Sequence, residues 1–119
     1  MTLHHAAIIC STVKSLEFYS LLGFTITSRI VREERNDEIV WMELNGITLE
    51  IFIDNTHPER VNNPEANGLR HLAFKVDDVD IYHSSMREYN PEPIRIDPIT
   101  GERLFFVKDL DGLPIEIRE

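Results

Sequence analysis

A single cysteine, Cys10, excludes an intrachain disulfide, so nothing here implies an oxidising compartment. Cations are few: 12 Lys and Arg stand against 21 Asp and Glu, a net charge of −9 at pH 7. That balance repels a polyanion and argues against a nucleic-acid surface. No apolar run approaches the roughly 20 residues needed to cross a bilayer. The opening Met-Thr-Leu-His-His has neither a basic segment nor an apolar one behind it, so no secretory signal is expected. Low-complexity segments, a phosphate-binding glycine loop, a dinucleotide fingerprint and a Gly-x-Ser-x-Gly elbow are all missing. What remains is a soluble, cytoplasmic chain of ordinary composition, 42% hydrophobic and 28% charged. Its 119 residues suffice for one domain and not for two independent ones.

What the chain does have is an internal repeat. Leu44-Asn45-Gly46-Ile47-Thr48-Leu49-Glu50-Ile51 matches Leu110-Asp111-Gly112-Leu113-Pro114-Ile115-Glu116-Ile117 at an offset of 66. Leu3-His4-His5-Ala6-Ala7 matches Leu69-Arg70-His71-Leu72-Ala73 at the same offset. Most in-phase identities, such as Leu3/Leu69, Val13/Val79 and Gly46/Gly112, are those a shared backbone needs. The polar ones are His5/His71 and Glu50/Glu116, and both residue types ligate metals. Two copies whose polar matches are ligands suggest two halves facing one ion.

Each half reads as β-α-β-β-β. Residues 3–10 suit a strand; Ser11 or Thr12 then caps a helix from about Val13 to Leu22, with Gly23 just past its end. Strands follow at Phe24–Val31, Glu38–Leu44 and Ile47–Ile53, the last two joined by Asn45-Gly46 in a type I′ turn. In the second half Leu69–Val76 is the strand, Asp77 or Asp78 the cap, and Val79, Tyr82, Met86 and Tyr89 the apolar stripe before Pro91. Asp111-Gly112 is expected to turn as Asn45-Gly46 does. Modules at 1–54 and 69–119 are thus joined by a linker at 55–68 rich in Asn and Pro.

Strand alternation sharpens the picture. Ile47, Leu49, Ile51 and Ile53 share the face expected to pack on the helix, which turns Glu50 to the other side. The same parity turns Glu116, His71 and His5 away from the helices, with small Ala7 and Ala73 beside the histidines. His4 falls on the opposite face and reads as structural. His57 and His83 have no phased partner and read as surface residues, as do Arg32, Arg60 and Arg70. Cys10 reads as a small buried hydrophobe, and Glu33 to Glu38 as an exposed, charge-rich turn.

These motifs, in this order and spacing, resemble the vicinal oxygen chelate superfamily over essentially the whole chain. It includes glyoxalase I, fosfomycin-resistance enzymes, extradiol dioxygenases and bleomycin-binding proteins. The segment from His57-Pro58-Glu59-Arg60 to Leu69-Arg70-His71-Leu72-Ala73-Phe74 is similar to a group of small bacterial glyoxalase-like proteins. The resemblance implies an α+β glyoxalase-like fold, two tandem βαβββ modules forming a curved mixed sheet around a metal cleft. It places His5, Glu50, His71 and Glu116 at the ligand positions of one divalent ion, Zn²⁺ or Ni²⁺. Two imidazoles and two carboxylates leave such a centre near neutral.

The implied chemistry is that of a glyoxalase I-type lyase: isomerisation of the hemithioacetal of a 2-oxoaldehyde, or a similar vicinal-oxygen substrate, through a metal-stabilised enediolate. Glu116 is the expected base, with Glu50 opposite it. Glutathione-dependent members usually carry Arg four residues after the first histidine ligand and Asn four after the first glutamate. This chain has Ile9 and Asp54 there, so another thiol or another carbonyl substrate fits as well. Two alternatives stay open: an extradiol-type Fe(II) dioxygenase using His5, His71 and Glu116, and a non-catalytic drug binder of the bleomycin-resistance kind. The expected partners are a small-molecule substrate and a second copy of the chain in a homodimer, without nucleic acid or membrane.

Overall fold

The structure, a computed structural model, describes residues 1–119. The chain divides into two compact units, Met1–Pro58 and Glu59–Glu119. In the first unit β1 (Ala6–Cys10), α1 (Ser15–Leu21), β2 (Thr25–Arg32), β3 (Asp37–Leu44) and β4 (Ile47–Ile53) follow in order. The second repeats it with β5 (Leu72–Lys75), α2 (Val79–Ser85), β6 (Arg95–Ile96), β7 (Arg103–Lys108) and β8 (Pro114–Arg118). Each unit holds a four-stranded mixed sheet, ordered β1-β4-β3-β2 and β5-β8-β7-β6. The first and last strands of a unit pair in parallel, and the rest are antiparallel.

The two apolar runs that open the halves pair for less of their length than their composition suggests. Strand β1 begins at Ala6 and β5 at Leu72, leaving Leu3 and Leu69 exposed. Pairing starts at Leu72 with Ile115 in β5 and at the phase-equivalent Ala6 with Leu49 in β1.

Helix α1 starts two residues later than its apolar stripe predicts. Lys14 stands at its N-cap without a side-chain bond, while the Thr12 carbonyl accepts from Ser15 N (3.1 Å) in a preceding turn. Val13 is therefore exposed, and Leu16, Phe18, Tyr19 and Leu22 form the buried face. Gly23 closes the helix at φ +107°, in the region where a side chain is strained. In α2 the cap is Asp78, whose carboxylate accepts from Asp80 N at 2.9 Å.

Helix α2 packs against β7 and β8. His83 lies edge-on to Phe105, ring centroids 5.0 Å apart, and bonds the Glu92 carbonyl at 3.0 Å. It is thus half-buried and pins the helix to the segment before β6, rather than lying free on the surface. Phe105 and Val107 of β7 and Ile115 and Ile117 of β8 fill the core beneath it. Val40, Met42, Leu49, Ile51, Ile8 and Cys10 do so in the first unit. Buried aliphatic side chains each contribute roughly 1.5–3 kcal/mol by leaving water.

The two hairpins differ. Asn45 (φ 47°) and Gly46 (φ 81°) turn β3 into β4 with Leu44 opposite Ile47, as expected of a type I′ turn. The second hairpin spans one residue more. Asp109 N donates to Leu113 O (3.0 Å) and Gly112 N to Asp109 O (3.1 Å), and only Gly112 has a positive φ, 88°. That is a turn ending in a glycine bulge. The buried Asp109 carboxylate sets it, accepting from Asp111 N and Leu113 N.

The charge-rich stretch at 33–38 is only partly a turn. Glu33–Arg35 form a 3-10 turn ending at Asn36 in the left-handed region, whereas Asp37 and Glu38 open β3. There Arg32 grips Asp37 (Nε to Oδ1, 2.7 Å) and Arg29 grips Glu38 (2.6 Å) across the strand pair.

Candidate metal-ligand pairs and the hollows beside them

Sheet register puts Glu50 and Glu116 on the side of their sheets away from the buried face. In the second unit Ala73, Glu116 and Phe106 lie in one row across β5, β8 and β7. Their neighbours Ile115, Ile117, Phe105 and Val107 point to α2 and the core. In the first unit the row is Ala7, Glu50 and Trp41, between the buried Leu49, Ile51, Val40 and Met42.

His71 Nε2 lies 3.3 Å from Glu116 Oε2. Glu116 is only 8% exposed, and its other carboxylate oxygen accepts from Arg118 Nη1 at 3.0 Å. Arg118 also reaches Glu102 (3.0 Å), Asp97 (3.1 Å) and Thr100 (3.2 Å). Those contacts, Asp97 and Glu102 foremost, raise its pKa above that of a free arginine. A guanidinium so placed stays charged and holds Glu116 in one orientation. On the other side of the ring, Arg70 Nη1 stands 3.0 Å from His71 Nδ1. Arginine has only donors, so Nδ1 accepts, and a neutral His71 carries its proton on Nε2, facing Glu116.

His5 sits just before β1 and meets Trp41 edge-on, centroids 4.9 Å apart; His71 meets Phe106 the same way at 5.3 Å. His5 Nδ1 is 2.8 Å from His4 Nδ1, so His4 is not turned to the opposite face but touches its neighbour. When His5 is the donor of that bond, its Nε2 lone pair is left for a ligand. Glu50 is half-buried and feels the positive charge of Arg32. Neither unit by itself gathers three or more His, Cys, Asp or Glu side chains around a point that would hold a metal.

A hollow adjoins each row. In the first unit Ala7, Ile9, Arg32, Arg35, Phe52 and Asp54 line about 730 Å³. Ile9 and Asp54, the two departures from glutathione-dependent enzymes, therefore face one space. Thr56 bonds Asp54 through both Oγ1 (2.6 Å) and N (2.8 Å), which holds its carboxyl below the usual aspartate range and keeps it charged. His57 adds a 3.4 Å contact to it.

The chain from residue 2 to residue 117 matches the Glyoxalase/Bleomycin resistance protein/Dioxygenase superfamily. It belongs to that superfamily. It is 45% identical over 123 residues to uncharacterized protein YwkD of Bacillus subtilis, covering 99% of this chain and 96% of that one. Uncharacterized protein YaeR of Escherichia coli is 43% identical over 121 residues, covering 98% and 94%. A solved glyoxalase family protein from Enterococcus faecalis superposes with a TM-score of 0.90 at 38% identity, over 99% of this chain and 97% of that one. The fold is accordingly glyoxalase-like. Members of the superfamily bind small-molecule substrates, commonly with a divalent metal, and commonly form dimers. No helix here is long and apolar enough to cross a membrane.

Several residues around the candidate ligands escape a search at one offset. Trp41 and Phe106 are structural equivalents, yet 106 − 41 is 65, because the longer second hairpin moves the phase by one. Arg60 and Asn62 sit in the stretch read as a linker. Arg60 Nη2 donates to the carbonyls of Leu69 (2.8 Å) and Arg70 (2.9 Å), and its Nε to Asn62 Oδ1 (2.9 Å). Asn62 in turn donates to Gly112 O at 2.7 Å. The pair thereby ties the segment carrying His71 to the hairpin ahead of Glu116.

Proposed function

We propose that this chain is a cytoplasmic, metal-dependent enzyme of glyoxalase I type, a lyase acting on a small substrate with vicinal oxygens. His5, Glu50, His71 and Glu116 would hold one divalent ion, Zn²⁺ or Ni²⁺, in a homodimer. The observation carrying this reading is the His71–Glu116 pair on the sheet face away from the helix, repeated in phase by His5 and Glu50. By residue type the donor set fits such an ion, two imidazoles and two carboxylates, with His71 ligating through Nε2 once Arg70 leaves Nδ1 to carry the proton. When bound, the metal would supply Lewis-acid stabilisation of charge developing on two adjacent oxygens.

The residues themselves divide the remaining work. Arg118 fixes Glu116 through Oε1 and leaves Oε2 free of any guanidinium, which suits a base for a carbon-bound proton. Glu50 is the second carboxylate, on the equivalent face of the other unit. Phe106 and Trp41 wall the imidazoles and limit water beside them. The charged Asp54 and aliphatic Ile9 disfavour the glutamyl end of glutathione, so a different thiol or carbonyl partner is expected.

The test is elemental analysis of native and His71→Ala protein purified without added metal, followed by methylglyoxal with a panel of small thiols. We expect Zn or Ni near one per site in the native protein, and loss of that metal in the variant. Unchanged metal content in the variant would refute the ligand assignment. Iron with oxygen-dependent catechol cleavage would replace the lyase reading with the dioxygenase one.

A further inference from the structure

The hollow of the second unit points to a ligand chemistry that a metal pair alone does not specify. It encloses about 630 Å³, within the range of small-molecule sites, and Arg70, Arg95, Lys108, Glu65, Glu92 and Phe106 are among its walls. Of the three cations, Arg70 is committed: its Nε lies 2.9 Å from Glu65, and Nη1 reaches His71. Arg95 and Lys108 have no carboxylate within ion-pair distance. With Glu65 engaged by Arg70, only Glu92 faces these two cations. A net positive hollow in a chain of net charge −9 is a local departure from the overall field.

Register places these cations on the candidate site's own face. Arg95 pairs with Leu104, and Leu104, Phe106 and Lys108 alternate with the buried Phe105 and Val107, in rows with Arg118, Glu116 and Pro114. The Arg95 guanidinium lies 5.5 Å from the centroid of Phe106, the ring that also touches His71. One aromatic side chain thus joins the His71–Glu116 pair to the unpaired cations.

We infer that this hollow binds a compact anionic group, a carboxylate or a phosphate, through Arg95 and Lys108. Resting on the proposed function, the group would be the acidic end of the substrate, whose vicinal oxygens then lie toward His71 and Glu116. Arg95 offers a planar fork to such an anion and Lys108 a point charge, with the Phe106 ring beside the Arg95 guanidinium. The substrate class becomes a small acid bearing two adjacent oxygens.

The experiment is an amide NMR titration of chelator-treated protein, with inorganic phosphate in one arm and acetate in the other. We expect saturable shifts at Phe106, Lys108 and Asn90, and the arm that binds more tightly names the acid. Arg95→Met and Lys108→Met should each weaken binding about tenfold, their spectra otherwise unchanged, since both side chains are exposed. Saturable binding by a native protein found to hold no metal would keep the anion site while the metal reading falls. Absence of saturable binding in both arms, or native affinity retained in both methionine variants, would overturn the inference.

Discussion

A guanidinium on β8 holds one oxygen of Glu116 and leaves the other 3.3 Å from His71. Glu50 has no such clamp, and that asymmetry separates the two carboxylates chemically. If Glu116 is the base, Glu116→Gln should keep much of the bound metal, because an amide oxygen still ligates, while turnover falls about 10²–10⁴-fold. Glu50→Gln should lose less activity. Parallel steady-state kinetics and metal analysis of the two variants check this, and a larger loss in Glu50→Gln would exchange their roles. His/Glu identity and parity were legible in the sequence because ligand type and strand alternation are local properties. Arg118 was not, since its partners Asp97, Thr100 and Glu102 lie 16–21 residues away and no periodicity relates them.

At the scale of elements, the second hairpin and the segment before β5 act as one clamp through Arg60 and Asn62. Gly112 sits inside it at φ +88°, and a Cβ there would stand 3.0 Å from Asn62 Nδ2. Gly112→Ala should therefore destabilise the fold by roughly 1–2 kcal/mol from the left-handed backbone alone. Thermal melts measure it, and an unchanged Tm would refute the strain. The 97–102 loop supplies a second element-scale expectation. Ile99 N–H foremost, and Arg118 next, hold the Asp97 carboxyl below the usual aspartate range. Its stabilisation is present above about pH 4, the unfolded value, and is lost as pH falls through the lower folded one. Asp97→Asn should flatten the fall in Tm between about pH 5 and pH 3. A native-like acid slope in that variant would count against the contact.

For the whole molecule, the offset of 66 gives each unit one imidazole and one carboxylate of the proposed ligand set. We expect a homodimer, and light scattering at micromolar concentration should report about twice the 13.9 kDa chain mass. A monomer would refute it. Mixing His5→Ala with His71→Ala protein then asks whether centres are shared between chains, because only a shared centre regains metal in the mixture. The sequence by itself determined the βαβββ repeat, the Asn45-Gly46 turn and the strand parity of Glu50 and Glu116, all consequences of periodicity and short-range backbone preference. Only the tertiary structure decided which residues surround those side chains. Asp109 adds one residue to a hairpin and so moves Phe106 out of phase with Trp41, and the Arg60–Asn62 clamp exists only once a connecting segment packs beside β8.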